Sequence, residues 1–199
     1  MYTGGPKELT EAALEIANEK LQMVIEEPDW IFNFLGKHIL TRGTLEMPKK
    51  GAINFHPAPA DFPGVGGTSY ALYQGRKTYG CVAHFMTEEI DAGPIIRSKS
   101  FPIYVWDTCE SLFARAEGMC LILFKEIVDD IAKGKVLKPN GEKWARRAYT
   151  RAEFDEFLNI DRYAPDHEIQ RKVKSCWHSK FPGPYINSGG YKFELIHGK

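Results

Sequence analysis

An α/β fold is what this sequence predicts, and three observations carry that expectation. Trp30-Ile31-Phe32-Asn33-Phe34-Leu35 is a near-continuous apolar run of strand length, which suits a strand covered on both faces, as in a parallel sheet. Apolar residues recur at helical spacing before it, in residues 9–21, and well after it, in residues 112–131. Between them, Asn54-Phe55-His56-Pro57 sets a polar pair where a second strand stops, which is where open α/β sheets hold their chemistry.

Residues 1–7 carry Gly and Pro and are expected to be loose. Leu9, Ala12, Ala13, Ile16, Ala17 and Leu21 form the stripe of one amphipathic helix. Residues 30–35 make the first strand, residues 36–40 a loop with an apolar end, and residues 48–51 a turn. Residues 52–56 are the second strand. Pro57 ends it, having no N–H to donate and a fixed φ. Residues 58–67 read as an irregular loop and residues 68–73 as a short helix. Residues 78–86 and 95–103 follow as strands three and four. Asp107 is expected to start a long helix, with Glu110 three residues later as a capping box. Its stripe includes Leu112, Phe113, Ala116, Met119, Cys120, Leu123, Phe124, Ile127, Val128 and Ile131, and Gly134 closes it.

Beyond residue 138 the character changes. Residues 144–149 suggest a strand, residues 151–158 a helix capped by Thr150, and residues 166–177 a further helix. Ser188-Gly189-Gly190 between Tyr185-Ile186 and residues 191–196 is a hairpin signal. The division expected is a domain over residues 1–138 and an extension over residues 139–199.

Composition narrows the function. Lys plus Arg total 26 and Asp plus Glu total 26, so the net charge is zero, and there is no basic run. A dedicated nucleic-acid binder is not expected, because phosphate neutralisation needs clustered Lys and Arg. Cys81, Cys109, Cys120 and Cys176 are scattered without a Cys-x-x-Cys pair, so no zinc or other metal site is expected. Cys81 and Cys120 read as reduced core thiols. The N-terminus lacks the apolar core of a signal peptide, and no apolar run is long enough to span a membrane. A soluble, cytoplasmic protein is expected. Gly4-Gly5 has no evident strand before it and is a weak candidate for a phosphate loop.

Asn54 and His56 lie two apart on a strand, so both side chains point the same way while Phe55 points into the packing. An amide beside an imidazole suits acyl transfer. The Asn N–H can donate to an oxygen that turns negative in a tetrahedral intermediate. The His can accept the proton an attacking amine sheds, and a carboxylate such as Asp91 would hold the ring. No Gly-x-Ser-x-Gly elbow and no Cys at a helix start offers a nucleophile. Acyl passage directly between bound donor and bound acceptor follows. From residue types alone, the same positions also fit a hydrogen-bonded strand end and a turn.

The run Gly51 to Pro63 resembles the Asn-x-His-Pro segment of the formyltransferases that use N10-formyltetrahydrofolate. Gly80-Cys81-Val82-Ala83-His84-Phe85 running into Asp91-Ala92-Gly93-Pro94 is similar to the same family's second signature, in the right order and separation. The likeness covers about residues 28–135. It implies a Rossmann-like formyltransferase sheet in which Asn54, His56 and Asp91 are catalytic. Asn54 would bind the formyl oxygen, His56 stabilise the oxyanion or relay the proton, and Asp91 orient His56. The folate co-substrate would lie against Leu35, His38, Ile39 and Leu40 and the loop of Phe85, Met86, Thr87, Glu88, Glu89 and Ile90. Core packing is an equal reading for Leu35 and Ile39, and a structural role is preferred for His84. Pro57, Gly64, Gly66 and Gly67 are candidates for acceptor binding.

The tail selects among amines. Trp144-Ala145-Arg146-Arg147-Ala148-Tyr149-Thr150-Arg151, Ile169-Gln170-Arg171-Lys172 and Phe181-Pro182-Gly183-Pro184-Tyr185 resemble the sugar N-formyltransferases. The acceptor implied is an amino sugar, nucleotide-linked, with activity toward glycinamide ribonucleotide or methionyl-tRNA as the alternative. The chain departs from the family at its start. Relatives place about 70–80 residues before the strand at Trp30, building the first βα units, and fewer than 30 stand here. The first βα units are therefore expected to be lacking, whether the chain is a fragment or a short variant. The strand at residues 30–35 would then expose an edge, a liability or a homodimer contact. A non-catalytic folate-binding or assembly module is the competing reading.

Overall fold

A computed structural model describes residues 2–3, 5–24, 26–36 and 39–195. In chain order the elements are β1 (Tyr2–Thr3), α1 (Lys7–Lys20), β2 (Trp30–Phe34), α2 (Arg42–Glu46), β3 (Gly51–His56), α3 (Gly67–Tyr73), β4 (Thr78–Phe85), β5 (Ile95–Pro102), α4 (Cys109–Ala132), α5 (Arg151–Leu158), α6 (Asp166–Cys176), β6 (Tyr185–Ser188) and β7 (Tyr191–Glu194). Strands β1 to β5 lie side by side in sequence order. β1, β2 and β3 are parallel, and β4 and β5 are each antiparallel to the strand before. The chain is thus α/β as expected, with a parallel half continued by an antiparallel one.

Alternation along the strands divides the work between the two faces. Phe32 and Phe34 of β2, Ile53 and Phe55 of β3, and Cys81 and Ala83 of β4 point to one face and form the main core with α1 and α4. There Phe124 of α4 meets Phe32, Phe34 and Phe55, with ring centroids 5.5, 5.3 and 5.0 Å away at steep angles. The intervening residues, Ile31, Asn33, Ala52, Asn54, His56 and Val82, occupy the other face. That face is apolar at one end, where Ile31, Leu40 and Ala52 cluster, and polar in the middle.

Several sequence expectations are corrected. Tyr2 and Thr3 are not loose: as β1 they pair with Asn33 and Phe34, covering that part of the β2 edge, and α1 begins at Lys7. The long helix starts later than Asp107. Its N-cap is Thr108, whose hydroxyl accepts from the Ser111 N–H while the Ser111 hydroxyl accepts from the Thr108 N–H. Asp107 instead receives the Tyr104 N–H and an Arg115 N–H, so its carboxylate anchors the preceding loop. Residues 144–149 do not form a strand. They make an isolated bridge, Gly64 with Tyr149, because their partners are loop carbonyls at Ala60 and Pro63. The turn of α2 within residues 41–47 was not anticipated. Thr41 caps it through the Thr44 N–H, a local bond without apolar periodicity.

Other expectations hold. Thr150 and Glu153 form a reciprocal capping box on α5. The hairpin turns at Gly189 and Gly190, with φ of 59° and 81°, the left-handed pair that a two-residue hairpin loop demands. All four cysteines are buried and unbridged. No helix among the described residues is long and apolar enough to cross a membrane.

Because Phe124 is fully buried and touches three other rings, Phe124→Ala is expected to lower stability by about 3–5 kcal/mol. Urea unfolding, compared with an exposed control such as Ile122→Ala, measures it.

Candidate active site

The antiparallel register of β3 and β4 sets Asn54 opposite His84, and the β4–β5 register shifts between Ala83 and His84. Because Asn54 and His56 share a face, both reach the turn after β4, where Asp91 sits. Asp91 holds φ at 45°, a left-handed conformation that Asp tolerates better than most residues. Gly93 follows at a point where a Cβ would collide with the Phe85 carbonyl, so the chain can fold this tightly against β4.

Asp91 is 7% exposed and gathers donors from four directions. Asn54 Nδ2 donates to Oδ1 at 3.2 Å, and His84 Nε2 lies 3.2 Å from the same oxygen. The Gly64 N–H donates to Oδ2 at 2.8 Å, and His56 Nδ1 lies 3.3 Å from that oxygen. Burial works to raise the carboxyl pKa. The His56 charge, the bond and charge of His84 and the Gly64 N–H outweigh it and hold the carboxyl at about 2. Asp91 is therefore an anion at neutral pH, set between two imidazoles.

Each ring also faces a backbone acceptor. His56 Nε2 is 3.1 Å from the Phe62 carbonyl, and His84 Nδ1 is 2.8 Å from the Phe85 carbonyl. Every ring nitrogen thus has an acceptor to donate to when it carries a proton. Asn54 Nδ2 is also 3.1 Å from His84 Nε2, so the amide, the two rings and the carboxylate form one connected network.

The expected trio Asn54, His56 and Asp91 does converge, and His84, set aside as structural, shares its carboxylate. Two further residues were missed. Trp144 donates its indole N–H to the Gly93 carbonyl at 2.8 Å and sets its ring edge-on to His84 at 5.1 Å and His56 at 6.1 Å. It comes from the segment after residue 138, and no local pattern marks an indole that closes over a site 51 residues earlier. Asn33 donates from Nδ2 to Asn54 Oδ1 at 2.9 Å; the apolar run around it hid a polar residue.

The residues expected on the folate side fall into three groups. Leu40 is buried with Ile31 and Ala52, and Met86 packs on that cluster, so the two expected folate segments adjoin. Ile39 is 74% exposed, which rules out core packing for it, and Thr87, Glu88, Glu89 and Ile90 are exposed too. Leu35, with φ of 53°, and Phe85, stacked on Trp30, pack against the main core. His38 lies outside the described residues. Of the acceptor-side candidates, Pro57 is half-buried beside His56. Gly64 has φ of 84° and supplies its N–H to Asp91, and a Cβ there would strike the Tyr149 backbone. Gly66 is the N-cap of α3, and Gly67 lies buried beneath Tyr79.

Comparison with known proteins bears on this geometry. The family model described as formyl transferase matches residues 10–124, which contain Asn33, Asn54, His56, His84 and Asp91. A bifunctional polymyxin resistance protein, ArnA, from Wigglesworthia glossinidia brevipalpis is 32% identical over 111 residues, 55% of this chain and 17% of that protein. A methionyl-tRNA formyltransferase from Listeria welshimeri is 29% identical over 144 residues, 66% of this chain and 46% of that protein. The chain therefore spans less than half the length of these curated relatives. Among solved structures, a 4-N formyltransferase from Francisella tularensis superposes with a TM-score of 0.70 at 20% identity, covering 98% of this chain and 85% of its own. A sugar N-formyltransferase from Shewanella gives 0.72 at 19% identity, covering 95% of this chain and 73% of its own. An N-formyltransferase from Helicobacter canadensis, solved with folinic acid and dTDP-3-aminofucose, gives 0.62 at 18% identity, with coverages of 89% and 67%. These likenesses show the same fold.

The depressed carboxyl of Asp91 makes stability depend on pH with a definite sign. Its contribution, about 2 kcal/mol, is present above the ordinary carboxylate pKa and is lost as pH falls toward 2. The stability gap between wild type and Asp91→Asn is thus expected to narrow as pH drops from about 4 to 2. Parallel denaturant titrations of the two proteins measure it.

Proposed function

Because the chain belongs to the formyl transferase family, we propose that it transfers a formyl group from N10-formyltetrahydrofolate to the amine of a nucleotide-linked amino sugar. The observation that carries this reading is the convergence of Asn54, His56 and the anionic Asp91 on one face of the sheet, inside the matched segment. In this reading the amine nitrogen bonds to the formyl carbon, and the carbonyl oxygen becomes negative. Asn54, through an N–H turned from Asp91 or His84, is a donor for that oxygen. The carbon's bond to N10 then breaks, and the proton shed by the amine ends on N10. Asp91 orients the His56 ring, whose neutral imidazole takes the proton from the attacking amine and passes it on toward N10.

The folate side is supported by the adjacency of Leu40 and Met86, which leaves exposed Ile39 and Ile90 available to a flat ring system. The amino-sugar acceptor is supported by the likeness to the Shewanella sugar N-formyltransferase and to the Helicobacter enzyme solved with dTDP-3-aminofucose, and by the tail's resemblance to the sugar N-formyltransferases. Methionyl-tRNA is the second reading, favoured by the Listeria relatives and opposed by the zero net charge.

A panel of dTDP-linked amino sugars, glycinamide ribonucleotide and methionyl-tRNA, each with N10-formyltetrahydrofolate, tests this by release of tetrahydrofolate. Turnover is expected with an amino sugar. Asn54→Ala and His56→Ala are each expected to lower kcat by about a hundred- to a thousandfold, the usual loss for one oxyanion donor and for one general base. Folate binding with no turnover on any amine would instead mark a non-catalytic module.

A further inference from the structure

Asn33 lies in the middle of an otherwise apolar strand, 5% exposed, directly beside Asn54 in the parallel register of β2 and β3. Both side chains share the polar face of the sheet. A buried Asn in such a strand costs stability unless its donors and acceptors are matched, and this one is half matched. Its Nδ2 donates to Asn54 Oδ1 at 2.9 Å, while its own Oδ1 has no partner among the described residues. Gly36 accepts this arrangement, since a Cβ there would strike that oxygen.

The direction of donation explains the mismatch. Asp91 Oδ1 is an acceptor, so the Asn54 atom beside it must be nitrogen. That leaves the Asn54 oxygen facing β2, where only a donor is compatible. Asn33 must therefore present its nitrogen, and its oxygen turns to a side where no described residue offers a donor. The chain of donation runs one way, from Asn33 to Asn54 to Asp91. A site shaped for stability alone would place an apolar residue at position 33. A retained, half-satisfied amide marks a local cost set against function.

We propose that Asn33 is a positioning residue for formyl transfer, holding the Asn54 amide with its oxygen toward β2 and both N–H groups toward Asp91 and the reacting carbonyl. The proposal rests on the reading of Asn54 as the donor to the formyl oxygen. It separates orientation from stability. Asn33→Leu deprives Asn54 Oδ1 of its donor but also removes the unpartnered oxygen, and the two changes offset each other in folding.

The test compares wild type with Asn33→Leu and Asn33→Ala in three readouts. With N10-formyltetrahydrofolate and the best acceptor of the panel, kcat is expected to fall about ten- to a hundredfold. KM for the folate should stay within about twofold, and the thermal midpoint of Asn33→Leu should not fall with it. The third readout needs no acceptor: the Asn54 side-chain amide signals in proton–nitrogen NMR, assigned with Asn54→Asp. These signals are expected to shift and to exchange faster with solvent in both variants. Unmoved amide signals overturn the proposal even if every amine fails as substrate. Activity within about twofold of wild type overturns it, as does activity that falls only in step with the thermal midpoint. Shifted signals in a protein that formylates nothing would uphold the orientation while removing the formyl-transfer reading.

Discussion

A carboxylate taken out of water must be surrounded by donors or it does not stay ionised, and Asp91 is the point at which this chain meets that demand. Four groups from different parts of the sequence converge on its two oxygens: Asn54 and His84 on one, Gly64 and His56 on the other. Desolvation works against the charge, and the sum of these partners overcomes it. The constraints that follow are local and strict. β3 must deliver two side chains to one face, the β4–β5 turn must hold Asp91 at positive φ, and residue 64 must bring its N–H close without a Cβ in the way.

The sheet reconciles this polar centre with a stable fold by giving its faces different tasks. One carries the aromatic cluster around Phe124, where burial and ring contacts supply cohesion. The other gives up apolar positions at Asn33, Asn54, His56 and His84 to build the network. Alternation at a period of two lets adjacent residues serve these opposed ends without interfering, since Phe55 packs into the core while its neighbours on either side face the site.

The segment after the long helix is part of this arrangement. Trp144 covers both imidazoles, and Tyr149 bridges Gly64 while stacking on Tyr70 at 4.0 Å. Glu153 then ties the segment down, accepting from Arg146, Arg147 and the Thr150 N–H; the Arg147 and Thr150 bonds lead in holding its carboxyl at about 2. Arg146 and Arg147, from the segment that resembles the sugar N-formyltransferases, are thus engaged in fastening it.

What the sequence by itself determined was whatever depends on neighbours a few residues apart. The stripe of α4, the Thr150 cap, the Gly189-Gly190 turn and the shared face of Asn54 and His56 are all consequences of local periodicity and backbone preference. The tertiary structure alone decided which distant groups meet. It reversed strand direction after β3, paired Tyr2–Thr3 with β2, brought His84 onto Asp91 beside His56, and set Trp144 and Asn33 against the site. Those outcomes turn on register and on contacts between residues tens of positions apart. Chain connectivity does not encode them; the competition to satisfy one buried charge and to bury one aromatic core does.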